Sequence, residues 1–457
     1  MSQSFLRLVE TRLSAKFCPL ASEVLVLALP VIGQMLFRTI LFFVDRALLG
    51  HYSSEALASM QISGTYLFAL LMIVGAFTVG AIAVVGRAIG EGNSAFAASS
   101  VRATLALSIA IGAVATLFTM GFLPTLLSLF STASVEVHLA AKNYLVWIAP
   151  ALGIYLLVMA QTAILQATGD TKTPFRIACF STVVHIVLDV VLIFGYFGFS
   201  ALGTKGAALA SLIATCLQCL MLIFAVCKNP KLRLYLWGIG REKEAIYHIM
   251  QVSMPAFIER AVQYGGFFIY ALMIGAIGSE AMATHQALVA IGAICFLSAD
   301  GFGVAAATSV ARTLGSHDFR KAERIAKIAT SYSFVFLSTV ALIFFLLPHF
   351  IMRLFTQDPE IISLGSKCLQ ISALAQPLSA IGVVLTDSLR GAGDTKTAAI
   401  VSIFGGVIVR FFFGYLFAFA LGMGLVGIWW GIFADWLARC LIVVPVILRG
   451  RWTYKQV

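Results

Sequence analysis

The sequence predicts an all-α membrane protein of twelve transmembrane helices in two six-helix bundles, and three observations predict it. Of 457 residues, 60% are hydrophobic and 11% charged, with a mean hydropathy of +0.98, more apolar surface than one water-soluble core can bury. Apolar runs longer than the roughly 20 residues that cross a bilayer follow one another with only brief polar breaks. Short motifs of the first half also return in the second, in the same order and at nearly constant offset, so the chain repeats itself once. The predicted parts are an N-terminal amphipathic segment (1–23), a first bundle (24–227), a linker (228–246), a second bundle (247–448) and a tail (449–457).

Residues 1–23 mix Arg7, Arg12 and Lys16 with Phe5, Leu6, Leu8, Val9 and Leu13, the composition of an interfacial helix rather than a cleaved signal. Six spans are then placed at 24–49, 60–86, 101–128, 138–166, 174–197 and 206–227. Six more are placed at 247–278, 285–311, 326–355, 362–389, 398–421 and 425–448. An even number of spans puts both termini on one side. Basic residues concentrate in one set of loops, at Arg87, Lys172, Arg176, Lys228–Lys243, Arg312–Lys327, Arg390 and Lys396, and are sparse in the other set, where Lys205 lies. The positive-inside rule therefore predicts cytoplasmic termini and a cytoplasmic linker.

The net charge of +11 is spread between apolar spans and forms no basic domain with interleaved aromatics, which argues against a nucleic-acid partner. Eight cysteines are scattered, and the single C-x-x-C, Cys216 and Cys219, lies in an apolar stretch without further ligands, so free thiols are expected. With no nucleophile elbow, P-loop or metal-ligand spacing, neither an enzyme nor a bound cofactor is predicted.

The repeat is explicit. Ser54–Gln61 reads SEALASMQ and Ser279–Gln286 reads SEAMATHQ, and the register that aligns them also superposes Pro30 on Pro255, Gly50 on Gly275 and Arg87 on Arg312. GDTKT at Gly169 returns at Gly393, one position short of that register. These loops lack the order of a phosphate-binding loop and read as tight cytoplasmic turns. Because each half holds an even number of spans, the halves insert with one polarity and are expected to relate by a pseudo-two-fold along the membrane normal, enclosing a cavity.

FVDRALLG in the first span, GDTKTPF, HIVLDVVLIFG in the fifth span and LRGAGDTKT in the second half together resemble the multidrug and toxic compound extrusion (MATE) family, closest to its prokaryotic DNA-damage-inducible branch. The resemblance runs from Pro30 to Arg439. It implies a V-shaped pair of bundles in the prokaryotic inner membrane, working as a monomer. It also implies export of cationic or amphipathic small molecules against inward protons or sodium ions.

A carboxylate at mid-membrane costs several kcal/mol unless paired, hydrated or protonated, which makes each one a functional candidate. Asp45 and Asp189 fall in the outer parts of spans one and five, at similar depth. Desolvation and like-charge repulsion both favour a proton on such a pair, the requirement for proton coupling. Against this, Asp45 and an arginine serve packing alone; Arg46 is ill placed for that, since adjacent helical residues point apart. His185 shares the Asp189 face at i−4, where the resembled family more usually has asparagine. Imidazole is a poor sodium ligand but titrates near neutrality, so protons are favoured, with sodium at Asp45 and Asp189 as the alternative.

The resemblance adds Gln161 and Ser211 as polar neighbours of the pair. Glu259, four residues after Pro255, is a candidate second-half ion or substrate residue, against a packing role beside an arginine. Asp387 and Asp435 are expected to pair with Arg390 and Arg439 along their own helices, near the cytoplasmic face. Arg38, Arg260 and Arg410 need partners that sequence cannot assign. The competing functions are a flippase for a lipid-linked or glycan precursor and an ion channel, which would need a selectivity filter that neither half shows.

Overall fold

The computed structural model describes residues 19–128, 134–198, 200–229, 241–354 and 358–454. Most of the predicted N-terminal segment and residues 230–240 of the predicted linker lie outside these. The first half folds as α1 (Pro19–Tyr52), α2 (Ser54–Val74), α3 (Phe77–Gly90), α4 (Ser94–Ser128), α5 (Val135–Ala167), α6 (Lys172–Phe194) and α7 (Thr204–Lys228). The second has α8 (Glu242–Ile277), α9 (Ser279–Gly315), α10 (Phe319–Leu346), α11 (Pro348–Arg353), α12 (Pro359–Gly391), α13 (Thr395–Ile403), α14 (Arg410–Tyr415) and α15 (Gly424–Leu448).

Among the described residues twelve helices are long and apolar enough to cross a membrane. They overrun the predicted spans because hydropathy registers only the stretch in hydrocarbon, whereas capped helices continue into polar ends. Ser53, Ser134, Asp318 and Asp358 supply such caps, each side chain accepting from a backbone N–H of the first turn. Two predicted spans are interrupted. The second breaks at Gly75–Ala76 between α2 and α3, and the ninth ends at Leu346 rather than 355, with Pro348 opening the short α11.

The repeat reappears in the element boundaries. Helices starting at Ser54 and Ser94 have counterparts starting at Ser279 and Phe319, the same register as the sequence motifs, and Val135–Ala167 maps onto Pro359–Gly391 in the register of the GDTKT loops. In each half the fourth span is the most buried, at 61% for α5 and 67% for α12. Both GDTKT loops are turns: Gly169 and Gly393 adopt positive φ (88° and 84°), and the following Asp170 and Asp394 accept from the N–H of Thr173 and Thr397. Span eleven is irregular, with π-helical turns at Phe404–Val409 and Leu416–Ala420 on either side of α14.

The described residues form two compact units, one drawn from 33–253 and one from 19–32 with 254–454. The divisions fall beside Pro30 and Pro255, the repeat-related prolines within α1 and α8. In the first unit Leu145, Leu152, Leu156 and Ile164 of α5 reach the hydrophobic clusters that include α2, α4 and α7. In the second, Val384, Leu385 and Leu389 of α12 pack with Phe302, Val310 and Leu314 of α9.

Small residues permit this closeness. A Cβ on Gly391 would sit 2.3 Å from the Ala307 carbonyl oxygen and 2.5 Å from its Cα, both backbone atoms that cannot rotate away. Gly391→Ala is therefore expected to destabilise the protein by about 1–3 kcal/mol through overpacking. Gly121→Ala, with nothing within 4 Å of the new methyl, is expected to be neutral or slightly stabilising. Thermal unfolding of the two variants in detergent checks this.

Candidate functional site

The site in the first unit is built by two helices running alongside in the same direction. At one end Gly33 of α1 meets the Phe175 ring of α6. At the other, Leu49 of α1 is fully buried in a cluster with Ile193 of α6. Between these contacts Asp45 lies four residues before Leu49, and Asp189 lies four before Ile193. Equal spacing from a shared contact brings the two carboxylates to one level. The third wall is α7, held against α6 where Gly206 leaves no room for a side chain: a Cβ there would be 2.5 Å from the Leu192 carbonyl oxygen. Two bonds extend the contact, Ser181 Oγ donating to the Ala214 carbonyl at 2.9 Å and Ser211 Oγ lying 3.0 Å from His185 Nε2.

Asp45, His185 and Asp189 converge, with one ligand atom of each within 4.8 Å of the others. His185 Nε2 is 3.5 Å from Asp189 Oδ2. Asp189 is fully buried, and both of its carboxylate oxygens, with Oδ1 of Asp45, lack a hydrogen-bond donor. The neighbouring arginine does not supply one, for the Arg46 guanidinium lies over the Phe42 ring, 3.3 Å from its centroid. Buried carboxylate oxygens are normally saturated with donors, and leaving them bare costs several kcal/mol. The arrangement is chemically equipped to take up a cation or a proton.

Of the two polar neighbours carried over from the resemblance, Ser211 meets the site through His185 and Gln161 does not. Gln161 Nε2 is directed at Cys219 Sγ, 3.8 Å away, two helical turns along α7 from Ser211. Sequence reasoning missed Tyr144, on α5, which comes within electrostatic reach of both carboxylates and bonds Ser211. A lone tyrosine in an apolar run carries no signal of such a role.

Glu259, in the second unit, is 1% exposed and pairs with Arg390 (Nη2 to Oε1 2.5 Å), with Gln263 Nε2 donating at 3.2 Å. Arg390 also pairs with Asp387 at i−3, as the sequence predicts, and Arg260 and Asp300 lie within electrostatic reach of Asp387. Arg410 finds its partner in Asp435, donating through Nε at 3.0 Å. Asp435 also accepts from Arg439 Nε at 2.6 Å, the expected i,i+4 pair. The predicted location needs correction. Asp435 is the twelfth of the 25 residues of α15, midway along the span rather than near its cytoplasmic end. Gly405 and Gly406 make room for the pair at that depth: a Cβ at 405 would overlap Arg439 Cγ and an Asp435 carboxylate oxygen, and one at 406 the Arg439 guanidinium that neutralises it. Arg38 faces the Tyr155 ring, 5.4 Å from its centroid.

Comparison with known proteins agrees with this fold and its internal repeat. The MatE family profile matches residues 30–191 and again 255–416, two segments in the same register as the internal motifs. A probable multidrug resistance protein NorM of Thermotoga maritima is 28% identical over 95% of this chain and 94% of its own. The probable multidrug resistance protein YoeA of Bacillus subtilis is 24% identical over 85% and 86%. Among solved structures, an outward-facing multidrug resistance MATE transporter superposes with a TM-score of 0.85 at 20% identity, covering 96% of this chain and 97% of that one. A point mutant of the Vibrio cholerae MATE transporter VcmN gives 0.88 at 17% identity over 95% and 99%.

Proposed function

The chain belongs to the MatE family, and from that premise we propose that it is a secondary active exporter of cationic or amphipathic organic compounds. Inward protons drive the exchange through the Asp45–His185–Asp189 group. The observation that carries this reading is the carboxylate pair of half-buried Asp45 and fully buried Asp189, in which both oxygens of Asp189 and Oδ1 of Asp45 have no hydrogen-bond partner. A proton taken up there relieves two repelling charges at once, and its release restores them, so the state of the pair can bias which side of the membrane the substrate site faces. The names of the full-length relatives support multidrug efflux as the class of transport. Imidazole as the third member of the group favours protons over sodium, which prefers hard oxygen ligands. The basic loops support an orientation with both termini cytoplasmic, in the inner membrane.

The test is purified protein in liposomes, with ethidium or norfloxacin as substrate and one ion gradient imposed at a time. Substrate accumulation is expected under a pH gradient and not under a sodium gradient. Accumulation driven by sodium alone reverses the ion assignment. Ion current without substrate exchange replaces the exchanger with a channel, and movement of lipid-linked substrates alone with a flippase.

A further inference from the structure

We propose that Asp45, His185 and Asp189 hold one divalent transition-metal ion of the zinc class, and that the bound ion blocks export. Three features of the group point to such an ion. The donor set is one imidazole and two carboxylates, the mixed nitrogen and oxygen set that suits zinc, cobalt and manganese and is poor for alkali or alkaline-earth ions. The spacing fits: ligand atoms about 2.1 Å from a tetrahedral ion stand roughly 3.4 Å apart, and His185 Nε2 and Asp189 Oδ2 are 3.5 Å apart. Their i,i+4 placement on α6 is how a helix presents two metal ligands on one face. Asp45, within 4.8 Å of both, closes with a small side-chain rotation, and Ser211 Oγ, 3.0 Å from the same imidazole nitrogen, stands where a fourth ligand or its bridging water belongs.

The third feature is charge. Two carboxylates and a neutral imidazole sum to −2, which a divalent ion cancels and a monovalent ion leaves half uncompensated. The fully buried Asp189, with both oxygens unpartnered, is the group such an ion would satisfy. Binding stands on this geometry alone. The block rests on the proposed coupling role, because an ion seated on both carboxylates denies them to the proton.

The experiment is a Co²⁺ titration of the purified full chain in detergent, with any affinity tag removed, followed by visible absorption. We expect saturation at one equivalent, d–d bands of a four-coordinate nitrogen and oxygen site without the thiolate charge-transfer band that cysteine ligation would give, and displacement by Zn²⁺. His185→Asn and Asp189→Asn are each expected to weaken binding by more than the ~10–100-fold that loss of an outer-shell partner costs. Asp45→Asn, at a less buried position, supplies a third variant should either of these fail to fold. Absence of saturable bands in the wild type overturns the site, as do bands unchanged in all folded variants.

In liposomes Zn²⁺ is expected to inhibit export at the concentrations that displace Co²⁺; binding without inhibition removes the block and keeps the site. The two proposals fail separately. Export lost in the aspartate variants with no Co²⁺ bands in the wild type leaves the coupling reading standing, whereas Co²⁺ binding with export intact in those variants does the reverse.

Discussion

Asp189→Asn is expected to abolish gradient-driven export while leaving the protein folded, and Asp45→Asn to do the same. Asparagine is nearly the same size as aspartate, so the packing of α6 against α1 and α7 survives. The substitution also removes a fully buried carboxylate whose two oxygens have no hydrogen-bond partner, and on stability alone Asp189→Asn should be neutral or favourable. What disappears is the difference between a charged and an uncharged pair. Coupling between two ligands is commonly worth 1–3 kcal/mol, or about 5–150-fold in affinity, so the ion-driven component of transport should fall at least about tenfold. Efflux from cells and accumulation in liposomes measure it, normalised to protein abundance. Undiminished ion-driven export in both variants eliminates the pair as the coupling site. A loss in Asp189→Asn alone would leave Asp45 a supporting part.

The legible part of this site was legible because charge in an apolar run is conspicuous. Asp45 and Asp189 stand out by hydropathy, and spans one and five cross in the same direction, so similar depth in sequence became proximity in space. His185 came with them through the i,i+4 rule. Residues that join the site by tertiary contact alone were invisible, as Tyr144 shows, and a carried-over resemblance put Gln161 beside the pair when the turn of α5 directs it to Cys219. The fold was read more fully, since a helix must satisfy its own backbone in lipid and leaves few alternatives. The breaks in spans two and nine were not read, because a glycine or proline within an apolar stretch does not alter its hydropathy.

The ion pairs of the second half divide along the same line. Asp387–Arg390 and Asp435–Arg439 are local and were predicted, whereas Glu259–Arg390 and Arg410–Asp435 each join two different helices. Periodicity along one helix has no access to a neighbour's face. It is also silent on which member of a shared cluster is indispensable, and that asymmetry gives the second large expected effect.

Asp435→Asn is expected to be the most destabilising single charge removal in the second unit. Its carboxylate is fully buried and accepts from both Arg410 and Arg439. Removing it leaves two guanidiniums facing each other in the interior, and breaking a buried pair from one side costs about 3–5 kcal/mol. Arg410→Met acts differently. It leaves the Asp435–Arg439 pair whole and puts an apolar chain of similar length against the Tyr270 ring, over which Arg410 lies at 5.9 Å, so the cost should stay near ~1 kcal/mol. The double variant Arg410→Met with Asp435→Asn should recover part of the loss, since one stranded cation is cheaper than two that repel. Fluorescence size-exclusion yield and thermal stability in detergent should therefore rank Arg410→Met above the double variant, and the double variant above Asp435→Asn. Equal effects for Asp435→Asn and Arg410→Met would mean that the carboxylate is not the hub of the cluster, and that Arg439 stands satisfied without it.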